Sequence, residues 1–207
     1  MEQLTREELE RLMFFEQARE AAEHDYNANN RDAGALTRWG GALLELAHVR
    51  QGNEAAHMIE EAVEKFRLAL AVDAKKHDTL WCLGNAYTSQ GFLTGETVTA
   101  QALFDKATDC FKRALAEDPT SEVYQKGLEM TSKAPALHAE LQRQMAQQGQ
   151  LVSGGGSGGG GGGLAQKKSS YTDFWYDVGG WVCFAGICVG MMALARSSAG
   201  APPPALK

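Results

Sequence analysis

Leu36-Thr37-Arg38-Trp39-Gly40-Gly41-Ala42-Leu43 returns 44 residues later as Leu80-Trp81-Cys82-Leu83-Gly84-Asn85-Ala86-Tyr87. Downstream of each copy a second pattern repeats, Ala62…Phe66…Ala69 and then Ala107…Phe111…Ala114, with 45 residues between the two phenylalanines. All four stretches carry apolar residues at helical spacing. Each unit is therefore two helices, the chain contains two units, and the fold class is all-α. A unit of this size buries its apolar face only against its neighbours, so the two units must stack. Small Gly and Ala let paired helices approach closely, and Phe and Tyr fill the space between them.

The order large-xx-large-Gly-xx-large, then Ala-xxx-Phe-xx-Ala, then Pro, resembles the tetratricopeptide repeat. The second unit supplies Leu80, Leu83, Gly84, Tyr87, Ala107, Phe111, Ala114 and Pro119; the first supplies Leu36, Trp39, Gly40, Leu43, Ala62, Phe66 and Ala69, with Ala74 in place of the proline. The resemblance implies a tetratricopeptide-like helical repeat bundle of two extended repeats. Both units exceed the usual period of ~34 residues by about ten, between their helices at Gln51–Glu60 and Gln90–Ala100. Lengthened helices or protruding turns accommodate the excess, and Gly91 and Gly95 favour a turn in the second unit.

Outside the repeats, Leu4-Thr5-Arg6-Glu7-Glu8-Leu9 reads as a helix start, with Thr5 and Glu8 as a capping box and Leu4 against Leu9 as a staple. That N-terminal helix runs to about His24, and the polar stretch from Asn27 to Asp32 breaks it. After Pro119, Thr120 or Ser121 caps a further helix carrying Val123, Tyr124, Leu128 and Met130, a lid over the last repeat. Leu137, Leu141 and Met145 extend a helical stripe to Gly149. Residues 1–148 thus form the folded domain. Residues 149–173 hold a glycine run with no strand before it and no timely Lys-Ser/Thr after it, so it is a tether and not a phosphate loop. Some twenty such residues reach about 25 Å.

Val178 to Ala195 carries no formal charge, and ~17–25 mostly apolar residues suffice to cross a bilayer. Phe174, Trp175 and Tyr176 form an aromatic collar at one end and Arg196 stands at the other. Residues 174–196 therefore read as a single C-terminal transmembrane helix. Trp175, Val178, Trp181, Phe184, Ile187, Val189 and Leu194 are its anchoring positions in the lipid bilayer, and residues 197–207 are a short Pro-rich tail. The competing reading is a buried core helix, because four glycines dilute the segment. Gly186 and Gly190 also form a GxxxG, a helix-approach motif. A span so near the end inserts after synthesis, which leaves the N-terminal domain in the cytosol.

The chain has a formal net charge of −6, and the excess of acid lies in residues 1–150. That disfavours nucleic acid, which needs a basic footprint. It suits a basic ligand, although mild acidity also serves solubility. Cys82, Cys110, Cys183 and Cys188 make no paired framework and read as reduced thiols. His24, His48, His57, His77 and His138 are scattered without metal-ligand spacing, and no nucleophile or nucleotide motif occurs. The sequence predicts no enzyme, no cofactor and no metal; it predicts a binding module. In stacked hairpins the first helix of each pair lines the inner face, so Thr37, Gly41 and Leu44, then Trp81, Asn85 and Thr88, are the candidate groove residues. A tetratricopeptide clamp for acidic chaperone tails places Lys, Asn and Arg on this face, and Thr37, Gly41 and Cys82 do not supply them. A shallow apolar groove on an acidic domain suits an amphipathic basic helix. Leu44 and Trp81 also fit a second description, ordinary core between the repeats.

Taken along its whole length, the chain resembles the plant-type twenty-kilodalton receptor of the mitochondrial outer-membrane protein translocase. The likeness rests on Leu12-Met13-Phe14-Phe15-Glu16, the Leu36–Leu46 run, the two extended repeats, the glycine tether and the C-terminal segment. It implies an import receptor for presequences, the Arg-rich amphipathic leaders of preproteins. It also implies the translocase channel and its central receptor as partners, and a single pass of the mitochondrial outer membrane with the C-terminus in the intermembrane space. A tail-anchored adaptor for organelle fission has the same outline; the long tether and the capped first helix favour the receptor.

Overall fold

A computed structural model of the chain describes residues 6–50 and 52–153. Thr5 of the expected capping box, the glycine-rich tether beyond residue 153, the anchor positions from Trp175 to Leu194 and the tail lie outside the described residues. Among the described residues no helix is long and apolar enough to cross a membrane.

The described chain is helical throughout: α1 (Arg6–Ala28), α2 (Ala33–Val49), α3 (Gly52–Val72), α4 (His77–Leu93), α5 (Thr97–Glu117) and α6 (Glu122–Ser153). The polar break ends α1 and starts α2 with a side-chain cap, Asp32 Oδ1 accepting from the Ala35 amide at 2.9 Å. Such a cap satisfies an otherwise orphaned N–H and contributes about 1 kcal/mol. The turn into α3 passes through Gly52 at φ 61°, a left-handed conformation open mainly to glycine.

The two hairpins match in length. Helices α2 and α4 have 17 residues each, and α3 and α5 have 21 each. The extra residues are thus absorbed as added helical turns. Each helix packs against its neighbours in the chain, and α2, α4 and α6 also touch one another in sequence. They form one layer. In the other, α3 bridges α2 and α4, and α5 bridges α4 and α6.

The repeat motif works as a ring seated in a notch. A Cβ on Gly40 would stand 2.7 Å from the Phe66 ring, and one on Gly84 would stand 2.8 Å from Phe111. Those distances are below any real carbon contact, so the absent side chain is what lets each hairpin close. Phe66 and Phe111 are among the most completely buried side chains of the domain. Gly91 follows the same rule and corrects the expectation of a turn: it lies inside α4, where an added Cβ would stand 2.5 Å from the Phe104 ring. The turn falls at Thr94–Glu96, where only Gly95 of the two glycines stands.

Helix α6 continues through Pro135. Tyr124, Thr131, Ala134 and His138 are its buried face, whereas Leu137 and Met145 are exposed and Leu141 is half-buried. The expected apolar stripe is therefore turned off the body. The face that packs is built from smaller and more polar residues, because Phe111 fits beneath Gly127, where an added Cβ would stand 2.9 Å from the ring.

Candidate functional site

The six groove candidates occupy successive turns of α2 and α4. These helices are tied by a hydrogen bond between the hydroxyls of Thr37 and Thr79 at 2.6 Å. Thr37, Gly41, Asn85 and Thr88 are half-buried. Leu44 and Trp81 are 5% and 6% exposed, Leu44 within the main core cluster. A ligand on this strip would therefore touch the four small residues, with the two large ones beneath or beside them as support.

The chemistry of the strip is muted. The Thr37 hydroxyl also bonds the Ala33 carbonyl at 2.7 Å, and that of Thr88 donates to the Gly84 carbonyl at 2.9 Å. Both hydroxyls are already committed to hydrogen bonds within the bundle. Above Gly41 there is open space, with no atom within 4 Å of an added Cβ. Such a surface offers shape and apolar contact, and the Asn85 side-chain amide forms no hydrogen bond among the described residues.

Several groups behind the strip escape sequence reasoning. Glu45 is buried, yet it accepts from Arg11 of α1 at 2.9 Å. His48 Nδ1 stands 3.9 Å from the same carboxylate. A buried carboxylate is stable only when paired, so this contact fastens α1 to α2. Neither residue lies in a motif that would have announced it. His138 is also buried, with Nε2 2.8 Å from the Thr94 carbonyl and its ring against Phe92 and Phe104. It closes α6 over the turn between α4 and α5. The indole nitrogens of Trp39 and Trp81 are buried without hydrogen-bond partners among the described residues; Lys65 Nζ sits 3.8 Å above the centre of the Trp39 ring.

On the other layer a cleft of about 640 Å³ opens between α3 and α5, with α4 as its floor. Leu70, Leu83, Tyr87 and Cys110 supply its apolar surface, and Arg67, Lys106 and Arg113 stand among its polar lining residues. Burial pushes the Cys110 thiol up to about 11 and the Cys82 thiol up to about 12, with Asp78 adding to the latter. Both are free thiols, held protonated and unreactive at neutral pH. No group of metal-ligating side chains occurs among the described residues.

Among the described residues, two matched helical hairpins flanked by further helices form an all-helical bundle with an open cleft between α3 and α5. Residues 9–196 match the family described as plant specific mitochondrial import receptor subunit TOM20. The chain is 42% identical to mitochondrial import receptor subunit TOM20-3 of Arabidopsis thaliana over 200 residues, 97% of this chain and 98% of that protein. To TOM20-4 of the same plant it is 43% identical over 92% of this chain and 94% of the other. To TOM20-2 it is 41% identical over 96% and 97%. The chain belongs to the plant-specific TOM20 family of mitochondrial import receptor subunits.

Proposed function

We propose that this chain is a mitochondrial import receptor subunit that takes preproteins by their presequences and delivers them to the outer-membrane translocase. The observation that carries this reading is identity of 41–43% along nearly the whole chain to proteins named as import receptor subunits. The bundle is of the tetratricopeptide-like kind, and residues 174–196 anchor it by a single C-terminal span in the mitochondrial outer membrane. The N-terminal domain faces the cytosol and the C-terminus the intermembrane space. The translocase channel and its central receptor are its membrane partners.

The ligand lies on the strip formed by Thr37, Gly41, Asn85 and Thr88. An amphipathic helix docks by its apolar face into a shallow apolar surface, and the acidic domain draws its arginines. Committed hydroxyls and an empty Gly41 suit a receptor that must accept many leaders of differing sequence, because nothing on the strip demands one particular partner atom. The function of the protein is to hold, not to transform.

Titration of a labelled Arg-rich amphipathic peptide into the 207-residue chain tests this reading. Binding at least about tenfold tighter than that of a scrambled, non-amphipathic control, a difference of about 1.4 kcal/mol, is expected. Gly41→Trp should weaken it and leave the thermal midpoint in place, because its side chain enters open space. Equal affinity for the two peptides would overturn the receptor reading, and an indifferent Gly41→Trp would move the site elsewhere.

A further inference from the structure

The cleft between α3 and α5 differs in charge from the domain that carries it. Residues 1–150 are acidic in balance, yet this opening is flanked by Arg67 and Lys106, both exposed. Among the described residues neither forms an ion pair. Lys106 Nζ lies 5.6 Å from the centre of the Tyr87 ring, and Arg67 is close enough to act electrostatically on the Tyr87 phenol. Arg113 pairs with Asp109 at 3.7 Å, and Asp105 accepts from Gln101 at 3.0 Å but keeps its negative charge, so three cations and two carboxylates line the cleft. Two cations outside any ion pair thus stand around one tyrosine, beside an apolar lining of Leu70, Leu83 and Cys110.

We propose that this cleft is a second docking surface, for an acidic segment of a partner protein that carries apolar side chains between its carboxylates. Carboxylates meet Arg67 and Lys106 at the rim, where charge complementarity speeds encounter and selects the partner. An arginine fork suits a carboxylate better than a point charge does. The interleaved apolar residues enter the floor and supply the contact area. A basic leader is repelled here, so the cleft and the α2–α4 strip sort ligands by sign. The receptor then holds a cationic leader on one layer and an anionic partner on the other without competition.

The test uses the 207-residue chain and a short labelled peptide of interleaved Glu and Leu, followed by fluorescence anisotropy at physiological salt. Saturable binding is expected, weakened about tenfold or more by Arg67→Glu together with Lys106→Glu. Both positions are exposed, and circular dichroism of the double variant checks that it folds. An Arg-Leu amphipathic peptide, measured in parallel, should bind the double variant no more weakly than the parent and should not displace the acidic one. Failure of that basic arm alone would speak against presequence binding and leave the cleft proposal standing. The proposal is overturned if the acidic peptide shows no saturable binding or ignores the double substitution. It also fails if a Glu-Ser peptide without leucines binds equally well, or if the basic peptide displaces the acidic one.

Discussion

The hairpins α2–α3 and α4–α5 share lengths and a glycine notch, but they are joined to the rest of the domain by different physics. Phe66 sits against one glycine, Gly40. Phe111 sits between two, Gly84 and Gly127, and Phe104 against Gly91 adds a further close contact. The second hairpin is therefore locked to α6 by packing. The first is joined to α1 partly by charge and aromatic contact: Arg11 to Glu45 and Arg38 to Asp25, both at 2.9 Å, with Tyr26 against Trp39. Matching internal motifs have been given unlike neighbours. One end of the array adds ion pairs to its packing, and the other rests on the fit of rings into notches.

Removing a ring tests the packed end first. Phe111→Ala should lower unfolding free energy by about 3–5 kcal/mol and loosen α6 along with α5, read as a fall in the denaturation midpoint and faster amide exchange across α6. Loss confined to α5 would show that Gly127 adds no coupling. Next comes the notch. Gly40→Ala forces a Cβ to within 2.7 Å of the Phe66 ring and should cost about 1–3 kcal/mol by overpacking. At the charged end, Arg11→Ala should cost about 1 kcal/mol, because the guanidinium is 35% exposed and partly screened by solvent. Its effect should appear as faster exchange in α1 with α6 unchanged. The smallest change has the opposite sign: Gly41→Ala, one residue from Gly40, meets open space and should stabilise the helix by about 0.5–1 kcal/mol.

Those neighbouring glycines also show what a sequence makes legible. Gly40 and Gly84 are readable because each recurs with its phenylalanine at a fixed distance, and a repeat reports packing directly. Gly91 has no counterpart in the first unit. Beside Gly95 it read as a turn, since nothing local reveals that Phe104 will lie against it. The extra residues in each unit were countable, but whether they made turns or helix depended on contacts between α2, α3, α4 and α5. Leu137, Leu141 and Met145 have helical spacing, yet spacing does not say which face meets a neighbour. Tyr124, Thr131, Ala134 and His138 won that contact because a glycine in the same face admits Phe111.

At the candidate strip, the positions were legible from the register of the repeat, and their accessibility was not. Thr37, Gly41, Asn85 and Thr88 are half-buried, whereas Leu44 and Trp81 are almost sealed. The buried pair of Arg11 and Glu45 joins residues far apart in the chain and had no local signature. The cleft between α3 and α5 takes its polar lining from two separate helices, and that juxtaposition exists only after folding.

Amide-shift mapping of an Arg-rich amphipathic peptide on the isotopically labelled 207-residue chain tests the central claim most directly. The account predicts saturable shifts concentrated at Thr37, Gly41, Asn85 and Thr88, with the amides of Arg67 and Lys106 unmoved. Shifts centred on the α3–α5 cleft, or none that saturate, would contradict it.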